Sequence, residues 1–189
     1  MIRKIFILLI FTVTCSAVDA QNGRYHGDGI DDVLRFVPIA SVYALKAAGV
    51  ESNSSWKRLA VNTATSFAIN IGTTLLLKNT IHSTRPDGTD RKSFPSGHTS
   101  LAFCGAMILH KEYVKKSPWI SVAGFSVAAL TAADRVRRNR HHWPDVLAGA
   151  AIGVLSAEAG YWIGDMITGE NRKMDVAVMP SGIQLIVKL

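Results

Sequence analysis

Between Asp145 and Asp165 the chain reads VLAGAAIGVLSAEAGYWIG, nineteen residues whose one charge is Glu158. No strict alternation of apolar and polar residues runs through it, so it reads as a helix rather than a half-buried strand, and it is long enough to cross a bilayer. Gly149-xxx-Gly153 and Gly160-xxx-Gly164 give it the spacing at which helices approach closely. Four more apolar blocks precede it, roughly Ile30 to Val50, Arg58 to Lys78, His98 to Val114 and Pro118 to Ala133. Helix-start signals mark three of the five: Ser54 and Ser55, Ser117 before Pro118, and Asp145 after Pro144. The expectation is an all-α bundle of about five helices. The second block carries no charge between Arg58 and Lys78 and also has membrane length. The third and fourth are shorter and span only if Lys111, Lys115 and Lys116 snorkel. The bundle is read as membrane-embedded, the alternative being tight packing in a soluble bundle.

Composition is compatible with that reading. The 189 residues are 48% hydrophobic and 19% charged with two cysteines, and mean hydropathy is +0.20. Disorder, collagen and a disulfide scaffold are excluded. Arg3 and Lys4, the apolar run Ile5 to Val13, and Val18-Asp19-Ala20 before Gln21 read as a signal peptide over residues 1–20. The apolar run is shorter than the ~20 residues that an anchor needs. Cleavage would leave Cys104 as the one thiol, read as a small core residue. Residues 21–173 then form the helical domain. The tail 174–189 alternates apolar residues around Pro180-Ser181-Gly182, which suggests a hairpin.

An exported N-terminus followed by five crossings places the loops Asn79 to Gly97 and Asp134 to Asp145 outside. Eight of the chain's 21 lysines and arginines fall at or within them: Lys78, Arg85, Arg91, Lys92, Arg135, Arg137, Arg138 and Arg140. The positive-inside rule does not favour cations there, so anion binding is the direct explanation.

Three clusters meet on that face. Lys78 and Arg85-Pro86 are seven residues apart, which on a helix is nearly two turns and puts both cations on one side about 10 Å apart. Phe94-Pro95-Ser96-Gly97-His98 opens the third helix: Ser96 can cap it, the Gly97 amide can approach an anion, and His98 can move a proton near neutral pH. Arg135 offers a planar fork for phosphate oxygens, and Asp145, four residues after His141, can orient that imidazole as a nucleophile or base. His142 is a second candidate, but the spacing favours His141. His26, His82 and His110 fall outside the clusters and are expected to face solvent or an interface.

In this order the clusters resemble the type 2 phosphatidic acid phosphatase (PAP2) superfamily, with its Lys-x6-Arg-Pro, Pro-Ser-Gly-His and Ser-Arg-x5-His-x3-Asp patterns. The likeness runs from about Leu76 to Gly153 and departs at one position, where Asp134 stands for the serine. Asp134 is expected to point away from a bound phosphate or to pair with a surplus arginine. The resemblance implies a metal-independent phosphohydrolase without a cofactor. His141 would form a phosphohistidine, oriented by Asp145. His98 would protonate the leaving oxygen and then activate water, and Lys78, Arg85, Arg135, Ser96 and the Gly97 amide would hold the phosphate. No carboxylate cluster able to hold magnesium is legible.

Among such proteins the chain is most similar to bacterial membrane lipid phosphatases of the lipid A phosphatase kind. The implied substrate is a lipid phosphate, lipid A or undecaprenyl pyrophosphate, at the periplasmic face of the inner membrane. The partners are membrane lipids, with no nucleic acid, and Arg137, Arg138 and Arg140 are left to meet a polyanionic headgroup or anionic lipid. The alternative is a soluble periplasmic acid phosphatase. A non-catalytic binder of anionic lipid is the reading of a different class.

Overall fold

The structure, a computed structural model, describes residues 29–169 and the backbone of 174–179 and 182–187. The chain divides into two compact units, Met1–Ile30 and Asp31–Leu189, and all the described residues but Gly29 and Ile30 belong to the second. The signal-peptide reading and His26 lie outside the described residues. The elements are α1 (Ile30–Leu34), α2 (Val37–Ala47), α3 (Trp56–Thr80), α4 (Gly97–Tyr113), α5 (Pro118–Arg137), α6 (Trp143–Thr168), β1 (Met174–Met179) and β2 (Gly182–Val187). The expected helical bundle is present. The two strands pair antiparallel, Met174 opposite Val187 and Met179 opposite Gly182, which is the expected hairpin.

The first apolar block is not one helix. Pro38 stands in the first turn of α2; inside a continuous helix it would lack the donor and clash with the preceding turn, so the chain breaks at Arg35-Phe36. The broken rod still runs the length of the bundle, from Asp31 near Arg135 to Tyr113, whose hydroxyl donates to the Val42 carbonyl at 2.9 Å. Ser55 caps α3 by accepting from Arg58 N at 3.1 Å. Helix α5 continues four residues beyond the expected end, to Arg137. Helix α6 begins earlier than expected, at Trp143, with Pro144 in its first turn.

Helix α4 is the hub. Ten of its seventeen residues are buried, and Cys104, Ile108, Leu109 and Tyr113 pack with Val42, Leu59, Ala157 and Tyr161 into the core. The two glycine pairs of α6 serve different neighbours. Gly149 and Gly153 lie on the α4 backbone, where a Cβ at 153 would stand 2.8 Å from Cys104 N, and Gly160 and Gly164 lie on Ser66 and Asn62 of α3. Gly153→Ala should therefore destabilise the bundle by about 1–3 kcal/mol through overpacking. Gly72→Ala, where a Cβ meets open space, should not; thermal unfolding in detergent reads both, and equal midpoints would contradict the close-packing account.

The outer faces are apolar. Helices α3 and α6, at 25 and 26 residues, run about 37–39 Å and exceed the ~30 Å of a bilayer's hydrocarbon. Their most apolar windows are only 28% and 39% buried, unlike the core helix of a water-soluble bundle. Ile71, Leu75, Leu76, Leu147, Leu155 and Ile167 point outward, and all four tryptophans, Trp56, Trp119, Trp143 and Trp162, are more than half exposed. Trp56, Trp119 and Trp162 lie toward one end of the bundle and Trp143 at the other, the arrangement of interfacial aromatic belts.

A buried polar network closes the end where α3 and α5 begin. Arg58 grips Asp165 through Nε at 2.7 Å and Nη2 at 2.9 Å, and Glu112 accepts from the Ser54 and Tyr161 hydroxyls at 2.6 and 2.7 Å. The three sequence clusters gather at the opposite end.

Candidate active site

The loop 81–96 carries Arg85 into the site. Helix α3 stops at Thr80 with Ile81 extended, because a residue before proline disfavours the helical region and Ser83, Thr84, Asp87 and Gly88 favour turns. Arg85 therefore stands on a loop rather than on a helix with Lys78, and the expected two-turn stacking of the pair is overturned. Asp87 accepts from the Thr89 amide and hydroxyl, Gly88 takes φ +72°, and Arg85 N donates to Asp90 O at 3.0 Å. Asp87 N donates to Asn139 O at 3.1 Å and Arg140 Nη1 donates to Asp87 Oδ2 at 2.7 Å, so this loop is fastened to the loop after α5.

His141 is buried at their junction. Its Nε2 lies 3.2 Å from Arg85 Nη1; the guanidinium can only donate, so Nε2 carries the lone pair. Its Nδ1 is 3.7 Å from Asp145 Oδ2, beyond hydrogen-bond range, and 3.4 Å from Ser93 Oγ. Ser93, wholly buried, donates to Asp145 Oδ2 and so links the two. Asp145 also accepts from His142 N at 2.9 Å, and its carbonyl accepts from Ser96 N at 2.9 Å, which ties the start of α6 to the start of α4. His142 itself is exposed, with Nε2 3.3 Å from the Thr84 carbonyl.

Burial, then Arg135, Arg85 and Lys78, push His141 down to about 2. The imidazole is thus neutral, and the three cations of the sequence clusters surround it. An unfolded histidine takes up its proton near pH 6.5. Between pH 6.5 and about 2 the unfolded state therefore binds the extra proton, and this group's contribution to stability falls as pH falls. His141→Gln should flatten the decline of the unfolding midpoint between pH 6.5 and 4; an unchanged slope would contradict the assignment.

His98 stands in the first turn of α4, half-buried, with Nε2 2.7 Å from Asp32 Oδ1 and 2.7 Å from Arg35 Nη1. Burial, then Arg135, hold its proton affinity below the ordinary imidazole value, against the pull of Asp32. Lys78 Nζ donates to Lys92 O at 2.8 Å. Ser96 occupies the cap position of α4, but its hydroxyl caps nothing and lies 3.0 Å from Thr99 Oγ1. A Cβ on Gly97 would sit 3.6 Å from Thr74 Cγ2 and 3.8 Å from Lys78 Cε, ordinary contacts, so packing alone does not require glycine there. His82 is exposed, and His110 Nδ1 lies 3.0 Å from Ser121 Oγ away from the site.

Arg135 is buried, with Nη1 on Asp31 Oδ2 at 2.6 Å and Nε without a partner among the described residues. Three further arginines have acidic partners within the chain: Arg137 with Asp134 at 2.7 Å, Arg138 with Asp31 at 2.7 Å, and Arg140 with Asp87. Asp134, in the serine's place, pairs as expected; burial and the nearby Asp31 carboxylate still raise its proton affinity, opposed by Arg137. The fold also builds a carboxylate group that was not legible in sequence. Ligand-type atoms of Asp31, Asp32 and His98 lie within 4.8 Å of one another, with arginines on both acids. Sequence reasoning missed Asp31, Asp32 and Ser93. None has a local signal, since each reaches the site across long chain separations.

Helices on a common hub thus bring two histidines and three cations together at one end of the bundle. The PAP2 superfamily matches residues 59–168, more than half of the chain, and the chain belongs to that superfamily. It is 42% identical over 157 residues to the Lipid A 1-phosphatase of Porphyromonas gingivalis, covering 80% of this chain and 35% of that protein. It is 39% identical over 82 residues to Lipid phosphate phosphatase 2 of Arabidopsis thaliana, covering 37% and 28%. The chain thus spans about a third of the length of these curated relatives. Among solved structures, LpxE of Aquifex aeolicus shares the fold, with a TM-score of 0.50 at 21% identity over 69% of this chain and 82% of that one.

Proposed function

We propose that the chain is a membrane phosphohydrolase that releases phosphate from a lipid phosphate through a phosphohistidine at His141. The observation that carries this reading is the neutral His141, its Nε2 lone pair held against Arg85 with Lys78 and Arg135 around it. Nε2 attacks phosphorus, and the bond from phosphorus to the lipid oxygen breaks. The leaving oxygen takes the His98 proton, and His98 then accepts a proton from the water that attacks the phosphohistidine, releasing inorganic phosphate and free His141. Lys78, Arg85, Arg135, Ser96 and the Gly97 amide bind the phosphoryl oxygens and stabilise their developing charge. Asp145 acts on His141 through Ser93. Turnover is expected to persist in EDTA, because these cations supply the charge neutralisation.

The similarity to the Lipid A 1-phosphatase of Porphyromonas gingivalis supports lipid A as substrate, with undecaprenyl pyrophosphate next. The apolar outer faces and the leader-like N-terminus support an inner-membrane protein whose site faces the periplasm. Phosphate release by the detergent-purified chain in EDTA, measured in parallel on lipid A, undecaprenyl pyrophosphate and p-nitrophenyl phosphate, tests this. Strong preference for one lipid is the expected result. Equal or better turnover of p-nitrophenyl phosphate would favour a periplasmic acid phosphatase instead.

A further inference from the structure

Helix α1 lies outside all three clusters and outside residues 59–168 that match the family, yet its carboxylates reach the site. Asp31 is wholly buried and accepts from Arg135 Nη1 at 2.6 Å and Arg138 Nη1 at 2.7 Å. Asp32 Oδ1 lies 2.7 Å from His98 Nε2. We propose that Asp31 and Asp32 are positioning residues of the active site: Asp31 holds the Arg135 fork so that its Nε edge faces phosphate, and Asp32 holds the His98 imidazole. The proposal rests on the phosphatase reading above.

The donors of Arg135 carry the first half. A guanidinium is a rigid plane, and it grips an oxyanion bidentately through two neighbouring N–H groups. Asp31 takes Nη1, at the far end from Nε, and Arg135 Nε is left buried and without a partner among the described residues. Burying a donor with no acceptor is unfavourable, and a phosphate oxygen on the Nε edge satisfies it. Asp31 therefore orients the fork from behind rather than standing where the anion binds. Its own charge is met by two guanidiniums; burial opposes its ionisation, and Arg135, Asp134 and His98 together hold its proton affinity below the ordinary carboxylate value.

The second half concerns the proton that the leaving oxygen needs. The charged groups facing His98 are Asp31, Asp32 and Arg35 from α1 and Arg135 from α5. Arg35 and Arg135 disfavour the imidazolium. Asp32, at hydrogen-bond distance, favours it, and a general acid must be protonated to act.

Asp31→Asn and Asp32→Asn in the full chain in detergent test the two halves. Calorimetry of inorganic phosphate binding reads the first without any turnover. Asp31→Asn is expected to weaken that binding about tenfold and to raise KM more than it lowers kcat. Phosphate bound as tightly as by the parent, or more tightly, would overturn this and make Asp31 a competitor for the anion. If Asp31→Asn fails to fold, Asp31→Glu, which keeps the charge but moves it by one methylene, is read for the same quantity, and unchanged affinity there overturns the claim. Asp32→Asn is expected to lower kcat on the lipid and to move the alkaline limb of kcat/KM to lower pH, with less effect on p-nitrophenyl phosphate, whose leaving group needs no proton. An unmoved limb would overturn the role of Asp32. Failure of the phosphatase reading is separable: the parent would then release no phosphate, or His141→Ala would leave turnover intact.

Discussion

Replacement of His141 by alanine should lower phosphate release from a lipid phosphate by about 10,000-fold or more, the scale on which covalent nucleophiles act. The nitrogen lost is the one whose lone pair faces Arg85 at 3.2 Å. No neighbour can replace it. His142 is exposed and turned to the Thr84 carbonyl, and Nε2 of His98 is turned to Asp32, 2.7 Å from its Oδ1. Inorganic phosphate should still bind to the variant, because Lys78, Arg85 and Arg135 remain. The loss should therefore fall on kcat, and steady-state rates with a parallel binding measurement check both. Residual turnover within tenfold of the parent would reject His141 as the nucleophile.

Removal of His98 has the next largest expected effect, and its size should depend on the leaving group. A lipid or sugar alkoxide cannot depart without a proton, so His98→Ala should slow such substrates by about 100- to 10,000-fold, the range for general acid catalysis. Nitrophenolate departs unprotonated. On p-nitrophenyl phosphate the first step should be nearly spared, while attack of water on the phosphohistidine, which also uses His98, becomes slow. A burst of nitrophenol followed by slow turnover is the expected time course. Equal slowing on both substrates without a burst would assign His98 to phosphate binding rather than to proton transfer.

Much of this arrangement was legible in the sequence, for identifiable reasons. Helix α3 is uncharged over membrane length and α6 is interrupted only by Glu158, and their helical class follows from that pattern. The glycine pairs of α6 predict close approach, and the fold adds only which helix each pair meets. Spacing within 135–145 turns the His141 ring inward, with Nδ1 3.7 Å from Asp145 Oδ2, and the His142 ring outward to the Thr84 carbonyl, because a turn and a helix start are local structures. The failures came where local rules compete or where distance along the chain is large. Stacking of Lys78 with Arg85 assumed a helix that the Arg85-Pro86 step and the turn residues around it end at Thr80. The break at Pro38 was present in the sequence but was masked by the apolar residues that flank the proline on both sides. Asp31 and Asp32 carry no motif, and their contacts with Arg135 and His98 span 104 and 66 residues. Pairing of Arg137, Arg138 and Arg140 with Asp134, Asp31 and Asp87 likewise depends on which acids the fold brings near, not on how many basic residues a loop carries.

The covalent intermediate is the most direct test of the account. His98→Ala should accumulate it from p-nitrophenyl phosphate carrying labelled phosphorus, because the first step outruns the second. After an alkaline quench and proteolysis, the label should sit on the peptide containing His141, stable to base and lost in mild acid as a phosphoramidate is, and His141→Ala in the same background should carry none. An unlabelled protein that still shows a burst, or label that survives the loss of His141, would contradict the phosphohistidine mechanism.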